Sequence, residues 1–225
     1  MAITYPRSMP ADFVGEGLVF EAPPVDFGSP ETSGRLGAVQ AGFPVWQAVF
    51  PIAASIGAAK SDEVRAWLAS LDGAKRQFYG ADPSRPLPLL YPAGFTGLTR
   101  AGGGSFDGTA TSWSVDTAGE VVTLNGLPAS FRLSIGDYVG FIWTTDGEPR
   151  RGLARCQEAV TANGSGVAAV TVRPALSSAI SDDATATLDH PTCLMRIDVG
   201  QTKLGGMGRR LAISGTIYAN QDLRP

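Results

Sequence analysis

The chain has 225 residues, a net charge of −3 and only 17% charged residues, compared with about 25% in an ordinary soluble domain. Its 28 glycines and 16 prolines are spread along the sequence, which indicates many turns between short strands rather than a disordered tract. The acidic balance excludes a protein that wraps nucleic acid, because that function needs clustered Lys and Arg to replace counterions. The low charge also indicates a surface that is partly covered by a permanent partner.

Three short strands are predicted first, at Gly17–Glu21, Arg35–Gln40 and Pro44–Ile52. The third contains β-branched and aromatic residues between prolines, a pattern that suits an edge or interface strand. The uncharged segment 36–59 is long enough to span a bilayer, but Pro44 and Pro51 interrupt it. We therefore expect buried strands here and no membrane insertion. The first residues contain no apolar core of signal-peptide length, so we expect synthesis in a reducing compartment.

The apolar period then changes to that of one amphipathic helix of about three turns. Its apolar stripe consists of Val64, Trp67, Leu68 and Leu71. Ser61 is the predicted N-cap, and Gly73 is the predicted residue after the C-terminus. We expect the stripe to pack on a sheet. The candidate partners are Trp46, Val49, Phe50, Leu211, Ile213 and Ile217.

Short strands separated by turn signals dominate the rest of the chain, at the spacing of a small barrel or sandwich. They are predicted at Thr111–Val115, Glu120–Leu124, Asp137–Thr144, Gly152–Ala159, Val167–Val172 and Ala184–Leu188. Two alternating strands at Leu194–Val199 and Arg210–Tyr218 close the chain. These last strands are suitable partners for the first hundred residues.

The predicted fold is mainly β: a β-sandwich with one flanking α-helix, plus an inserted small β-barrel or sandwich module. The sandwich is discontinuous and comprises residues 1–104 and 191–225. The inserted module comprises residues 105–190. The glycine run Gly102–Gly104 is a candidate hinge between them.

Residues for catalysis are scarce. His190 is the sole histidine, and no Gly-x-Ser-x-Gly motif accompanies it, which argues against a His-assisted nucleophile and a His-based metal site. The carboxylate pairs Asp182/Asp183 and Asp26/Glu31 are interpreted as solvated loops, because nothing around them would desolvate one member. We therefore expect no enzyme, no cofactor and no metal.

The remaining motifs have structural interpretations. Cys156 and Cys193 lack metal-ligand spacing, and Cys156 is predicted to be a small buried residue. The loop Gly205–Gly208 precedes a strand, whereas a phosphate cradle needs a helix N-terminus. Trp46 and Trp67 are expected in the core, which leaves Trp113 and Trp143 as candidate exposed platforms for a sugar.

The order of elements resembles the distal tail proteins of long-tailed bacteriophages. The resemblance covers about residues 35–220 and depends on element order and short phrases rather than on an invariant motif. The segments that carry it are Pro44–Ile52, Asp62–Gly73, Ala74–Tyr79, Leu133–Gly140, Val160–Gly166, Cys193–Val199 and Arg210–Ala219.

This resemblance implies a structural protein of the virion, assembled in the host cytoplasm. It implies a hexameric ring at the distal end of the tail that joins the tail tube to the hub and to receptor-binding parts. The implied partners are further copies of the chain, the tail tube protein and the hub or tail-tip protein, with the tape measure or fibre proteins as additional candidates. A tail tube protein and a carbohydrate-binding β-sandwich module are the alternatives.

Overall fold

Strands dominate the computed structural model, which describes residues 3–30, 34, 36–206 and 212–223. The predicted fold class, mainly β with several sheets and one helix, is confirmed for this part of the chain. Two hydrophobic clusters form the core. One lies between a large sheet and the helix, and the other fills a second body of strands.

The first sheet combines strands from both ends of the chain. Its members are β1 (Arg7–Ser8), β2 (Val19–Glu21), β5 (Gln47–Pro51), β6 (Phe78–Gly80), β15 (Cys193–Ile197), β16 (Lys203–Leu204) and β17 (Gly215–Gln221). The order is β1-β6-β15-β17-β5-β2, with β16 pairing on the N-terminal half of β17. β15 pairs with β6 and β17 pairs with β5, so the closing strands complete the sheet begun by the first hundred residues, as predicted.

Three of the four predicted members of the helix stripe are buried, and the fourth, Leu68, is half-buried. The helix α1 spans Ala58–Ser70, and Val64, Trp67 and Leu71 are all buried against the sheet. The Trp67 ring meets Phe78 edge-on at 5.0 Å between centroids and lies 6.1 Å from Phe13. A helix this short is not stable alone in water, so this contact with the sheet is what stabilises it.

Both predicted ends of the helix are wrong. The N-cap is Gly57, and the buried Ser61 lies inside the helix. The Ser61 hydroxyl donates to the Gly57 carbonyl at 2.9 Å and accepts from the Ile213 N–H at 3.2 Å. At the other end Leu71 is the C-cap, and the chain leaves through two left-handed residues, Asp72 (φ 52°) and Gly73 (φ 65°).

The predicted face of the sheet needs two corrections. Ala48 and Phe50 point into the core, whereas Val49 lies on the opposite side of β5 and is only half-buried. The last strand begins at Gly215 rather than at residue 210, although Ile213 and Ile217 are buried as expected. Leu211 lies outside the described residues.

The second body is a six-stranded sheet that closes on itself. Its strands are β7 (Ser112–Val115), β8 (Val121–Asn125), β10 (Tyr138–Thr145), β11 (Glu148–Cys156), β13 (Ala168–Arg173) and β14 (Thr185–Thr187), in the order β14-β10-β11-β13-β8-β7. The segment just before β7 pairs with β14, since the Ala110 N–H donates to the Ala186 carbonyl at 2.9 Å and the Leu188 N–H to the Gly108 carbonyl at 2.7 Å. A short pair, β9 (Arg132–Leu133) with β12 (Val160–Thr161), lies beside this barrel.

The barrel and the first sheet share contacts. The Trp46 indole N–H donates to the Leu153 carbonyl of β11 at 2.8 Å, and the Trp46 ring meets Tyr138 of β10 edge-on. Tyr138 and Leu153 are both part of the cluster under the first sheet. The Tyr138 hydroxyl donates to Asp82, and burial, together with this carboxylate, raises the pKa of the phenol.

The glycine run at 102–104, the candidate hinge, lies in a hydrogen-bonded turn with Arg100. Arg100 spans this turn, donating to the carbonyls of Thr109 and Gly126 at 2.7 Å each. The preceding Phe95 is buried in the barrel cluster, and Tyr91 stacks on Phe131 with 4.3 Å between ring centroids. Together with the hydrogen bond from Tyr138 of β10 to Asp82, these contacts join the chain from about residue 82 to the barrel.

The division into two domains stays a prediction, and these contacts sharpen its test. We expect a fragment of residues 82–191 to unfold cooperatively in urea, because it keeps the aromatic residues that fill the barrel. The fragment 105–190 should lose cooperativity, because it lacks Tyr91 and Phe95. Circular dichroism distinguishes the two. Equal behaviour of both fragments would show that the segment 82–104 does not belong to the barrel.

Candidate functional site

A two-stranded ribbon, here called the arm, extends from the first sheet. It consists of β3 (Val25–Pro30) and β4 (Leu36–Gly42), which connect β2 to β5. Phe27 pairs with Val39 across the ribbon, and their exposed fractions are 74% and 69%. Their side chains therefore form an apolar knob on one face of the arm.

The expectation of buried strands across 36–59 is wrong for its first part. Within the described residues β4 pairs with β3 alone, and Val39, Gln40, Ala41 and Gly42 are exposed. Only β5, which inserts between β2 and β17, is covered by the core. The lack of charge in 36–42 therefore reflects an apolar projecting ribbon.

An isolated ribbon of this kind is poorly suited to water. A two-stranded hairpin is at best marginally stable alone, and a flat apolar ribbon with free edges invites pairing with another chain. The charged residue in the described part of the arm is Asp26. The arm is thus a candidate protein-interaction site.

A second unpartnered apolar feature lies elsewhere on the first sheet. It is a hollow of about 170 Å³ lined by Leu68, Gly73, Ile197, Val199, Thr202 and Leu204. Ile197 is buried at its floor, whereas Val199 and Leu204 are 60% and 45% exposed at its rim. Four of the six lining residues are aliphatic, which makes the hollow suited to an apolar side chain.

The polar candidates from the sequence do not converge. His190 is exposed, with Nδ1 2.7 Å from the neighbouring Asp189 carboxylate. Asp182 and Asp183 lie on an exposed loop, and the Asp183 carboxylate accepts from the Ser181 hydroxyl at 2.5 Å. Asp26 lies on the arm, and Glu31 lies outside the described residues. Asp26, Asp182, Asp183 and His190 are therefore all in solvent-exposed positions.

Both thiols are buried, as predicted for Cys156. Burial raises the pKa of Cys156 to about 12, with a smaller contribution from the nearby Asp137, and burial also raises the pKa of Cys193. A buried thiol with a raised pKa is protonated at neutral pH and is a poor nucleophile. Neither cysteine is a candidate catalytic group.

The candidate sugar platform is not present at Trp113 and Trp143. Trp143 is only 5% exposed and belongs to the barrel core. Trp113 is half-buried, packs on Phe141 at 4.7 Å between centroids, and donates its indole N–H to the Ala184 carbonyl. Trp46 and Trp67 are in the core, as predicted.

The glycine-rich loop is only partly described. The Gly205 N–H donates to the Ser214 carbonyl at 2.8 Å and so continues the pairing of β16 with β17, while Met207 and Gly208 lie outside the described residues. Across residues 3–30, 34, 36–206 and 212–223, no group of three or more His, Cys, Asp or Glu side chains has metal-binding geometry. In the same ranges no helix is long and apolar enough to cross a membrane.

Comparisons with models of known protein families and with curated proteins find no match for this chain. The indications of its function are therefore the geometry and the resemblance in element order.

Phe27 is the residue of the candidate interaction site that sequence reasoning missed. The alternation of Val25 and Phe27, followed by the turn-forming residues Pro30, Ser33 and Gly34, is a hairpin signal. It was obscured because Asp26, Gly28 and Pro30 are poor strand formers. The hollow has no comparable signal, since the helix and the segment 197–204 come together only in the folded chain.

Proposed function

We propose that this protein is a structural component of a bacteriophage tail tip. Copies of the chain form a hexameric ring at the distal end of the tail, which joins the tail tube to the hub and the receptor-binding parts. The observation that carries the proposal is the exposed apolar arm, because such a ribbon needs a protein surface to cover it. The order of elements and the low charge support the same assignment.

A ring also explains why one chain has two separate exposed apolar features, the arm and the hollow. A head-to-tail contact uses two different patches on each subunit and forms a ring when the rotation closes. The arm and the hollow are two different patches of one chain, and both are uncovered in a single copy. The carbohydrate-binding alternative loses its support, because it depended on exposed platforms at Trp113 and Trp143.

Light scattering coupled to size-exclusion chromatography, followed by negative-stain imaging, tests the proposal. We expect a closed ring of six copies from the purified chain at high micromolar concentration. A chain that remains monomeric at this concentration would overturn the assignment. Long stacked tubes would instead identify a tail tube protein.

A further inference from the structure

We propose that the arm of one copy docks into the hollow of the next copy, with Phe27 seated between Val199 and Leu204. This contact rests on the proposed ring and names the surfaces that build it. The partner that the arm binds is therefore a second copy of the same chain.

The arm has the properties of an incomplete interface. Every described side chain of β3 is exposed, and Phe27 and Val39 form its apolar knob. Phe is enriched in the buried centres of interfaces, where it fills a pocket of the partner. A side chain such as Phe27, held out on a paired ribbon, is already ordered and loses little freedom on docking.

The hollow matches one aromatic side chain better than a free ligand. Its volume of about 170 Å³ is well below the roughly 300–1,000 Å³ of small-molecule sites. Its rim residues Val199 and Leu204 are the most exposed aliphatic residues around it, and docking would remove both from water.

The sheet register places Leu204, at the rim of the hollow, and the base of the arm at opposite ends of β17, while Ile197 of the same hollow pairs with Ala219 nearer the arm. At one end Gly215 pairs with Leu204 of the hollow. At the other end Asn220 pairs with Gln47, which pairs in turn with Glu21, where the arm leaves the sheet. Five residues of strand, about 17 Å, separate these ends before the arm begins. Leu204 at the rim of the hollow therefore lies at the end of β17 that is distant from the base of the arm.

The size of the arm is also suitable. Its strands contribute six and seven residues. A standard protein interface uses about 20–30 residues on each side. The arm thus supplies about half of one side, and the surface around its base can supply the rest.

Disulfide trapping tests the contact directly. Phe27→Cys combined with Leu204→Cys should give a ladder of covalent multimers under mild oxidation, seen on a non-reducing gel. The native Cys156 and Cys193 do not interfere, because both are buried. Phe27→Cys combined with Ile135→Cys is the matched control, since Ile135 is an aliphatic residue of the barrel region that is 65% exposed. We expect no ladder from that pair.

The outcomes separate this contact from the ring itself. Closed rings without a ladder overturn the arm–hollow contact and leave the proposed function intact. A ladder without closed rings supports the contact and overturns the ring. A dimer from Phe27→Cys alone means that two arms meet each other, which also overturns the contact.

A substitution gives an independent readout. Phe27→Ser should weaken association between neighbouring copies by about 10- to 100-fold, because burial of one aromatic side chain is lost. Ile135→Ser is the control with similar exposure and should leave the rings unchanged. Circular dichroism shows that both variants fold. Equal ring formation by both variants contradicts the proposal.

Discussion

Trp67→Ala should lower the free energy of unfolding by about 3–5 kcal/mol, the loss typical of deleting a buried Trp side chain. The Trp67 side chain is 1% exposed, and its indole ring packs the helix against Phe13 and Phe78. Such a loss is a large part of the roughly 5–15 kcal/mol that stabilises an ordinary domain. Urea denaturation followed by circular dichroism measures it.

Two control variants separate packing from other causes. Arg65→Ala, on the exposed side of the same helix, should cost less than about 0.5 kcal/mol. Trp67→Phe should cost clearly less than the alanine variant, because it keeps a ring in the core. It also removes an indole N–H that has no hydrogen-bond partner among the described residues. An unchanged urea midpoint in Trp67→Ala would show that this helix does not depend on the sheet.

The helix shows which part of the fold the sequence predicts well. Its stripe has a strong period, so the buried face at Val64, Trp67 and Leu71 follows from spacing alone. The N-terminus of the helix does not follow from spacing, because a serine at position 61 has two possible roles that the sequence does not distinguish. A serine can cap a helix from its own chain, or it can bond to a distant segment, as Ser61 does with Ile213.

The arm shows where sequence reasoning is insufficient. The segments at β4 and β5 are both uncharged, yet only β5 has a strand on each side. Burial depends on which strands come together, and a local pattern contains no information about that. The hollow is harder still, because it joins Leu68 of the helix to Leu204, far along the chain.

Asp137→Ala should be as damaging as the loss of Trp67, through a different mechanism. This carboxylate is fully buried and accepts three hydrogen bonds: from the Arg85 guanidinium at 2.7 Å, from the Leu89 N–H at 2.9 Å and from the Ser134 N–H at 2.7 Å. A hydrogen bond to a charged group contributes roughly 1.5–3 kcal/mol, so the loss of these three costs about 3–5 kcal/mol. The variant also leaves two backbone N–H groups without their acceptor.

Arg85→Ala is the matched control for the Asp137 variant. The Arg85 side chain is 26% exposed, and its loss leaves Asp137 with both backbone donors. We therefore expect a smaller destabilisation, about 1–2 kcal/mol, since a hydrogen bond to a charged group contributes roughly 1.5–3 kcal/mol and water can partly replace this one. Equal losses in the two variants would mean that the ion pair, and not the backbone hydrogen bonds, carries the effect.

The position of Asp137 connects this stability to assembly. Its bonds to Arg85 and Leu89 hold the segment that links the first sheet to the barrel, and the adjacent Tyr138 packs under the first sheet. Asp137→Ala should therefore speed proteolysis within residues 82–91 in the native state more than Trp67→Ala does, because the ring contacts of Trp67 are with Phe13 and Phe78, which precede this segment. If cleavage of this segment is equally slow in both variants, Asp137 stabilises the barrel alone and does not fix its attachment to the sheet that carries the arm.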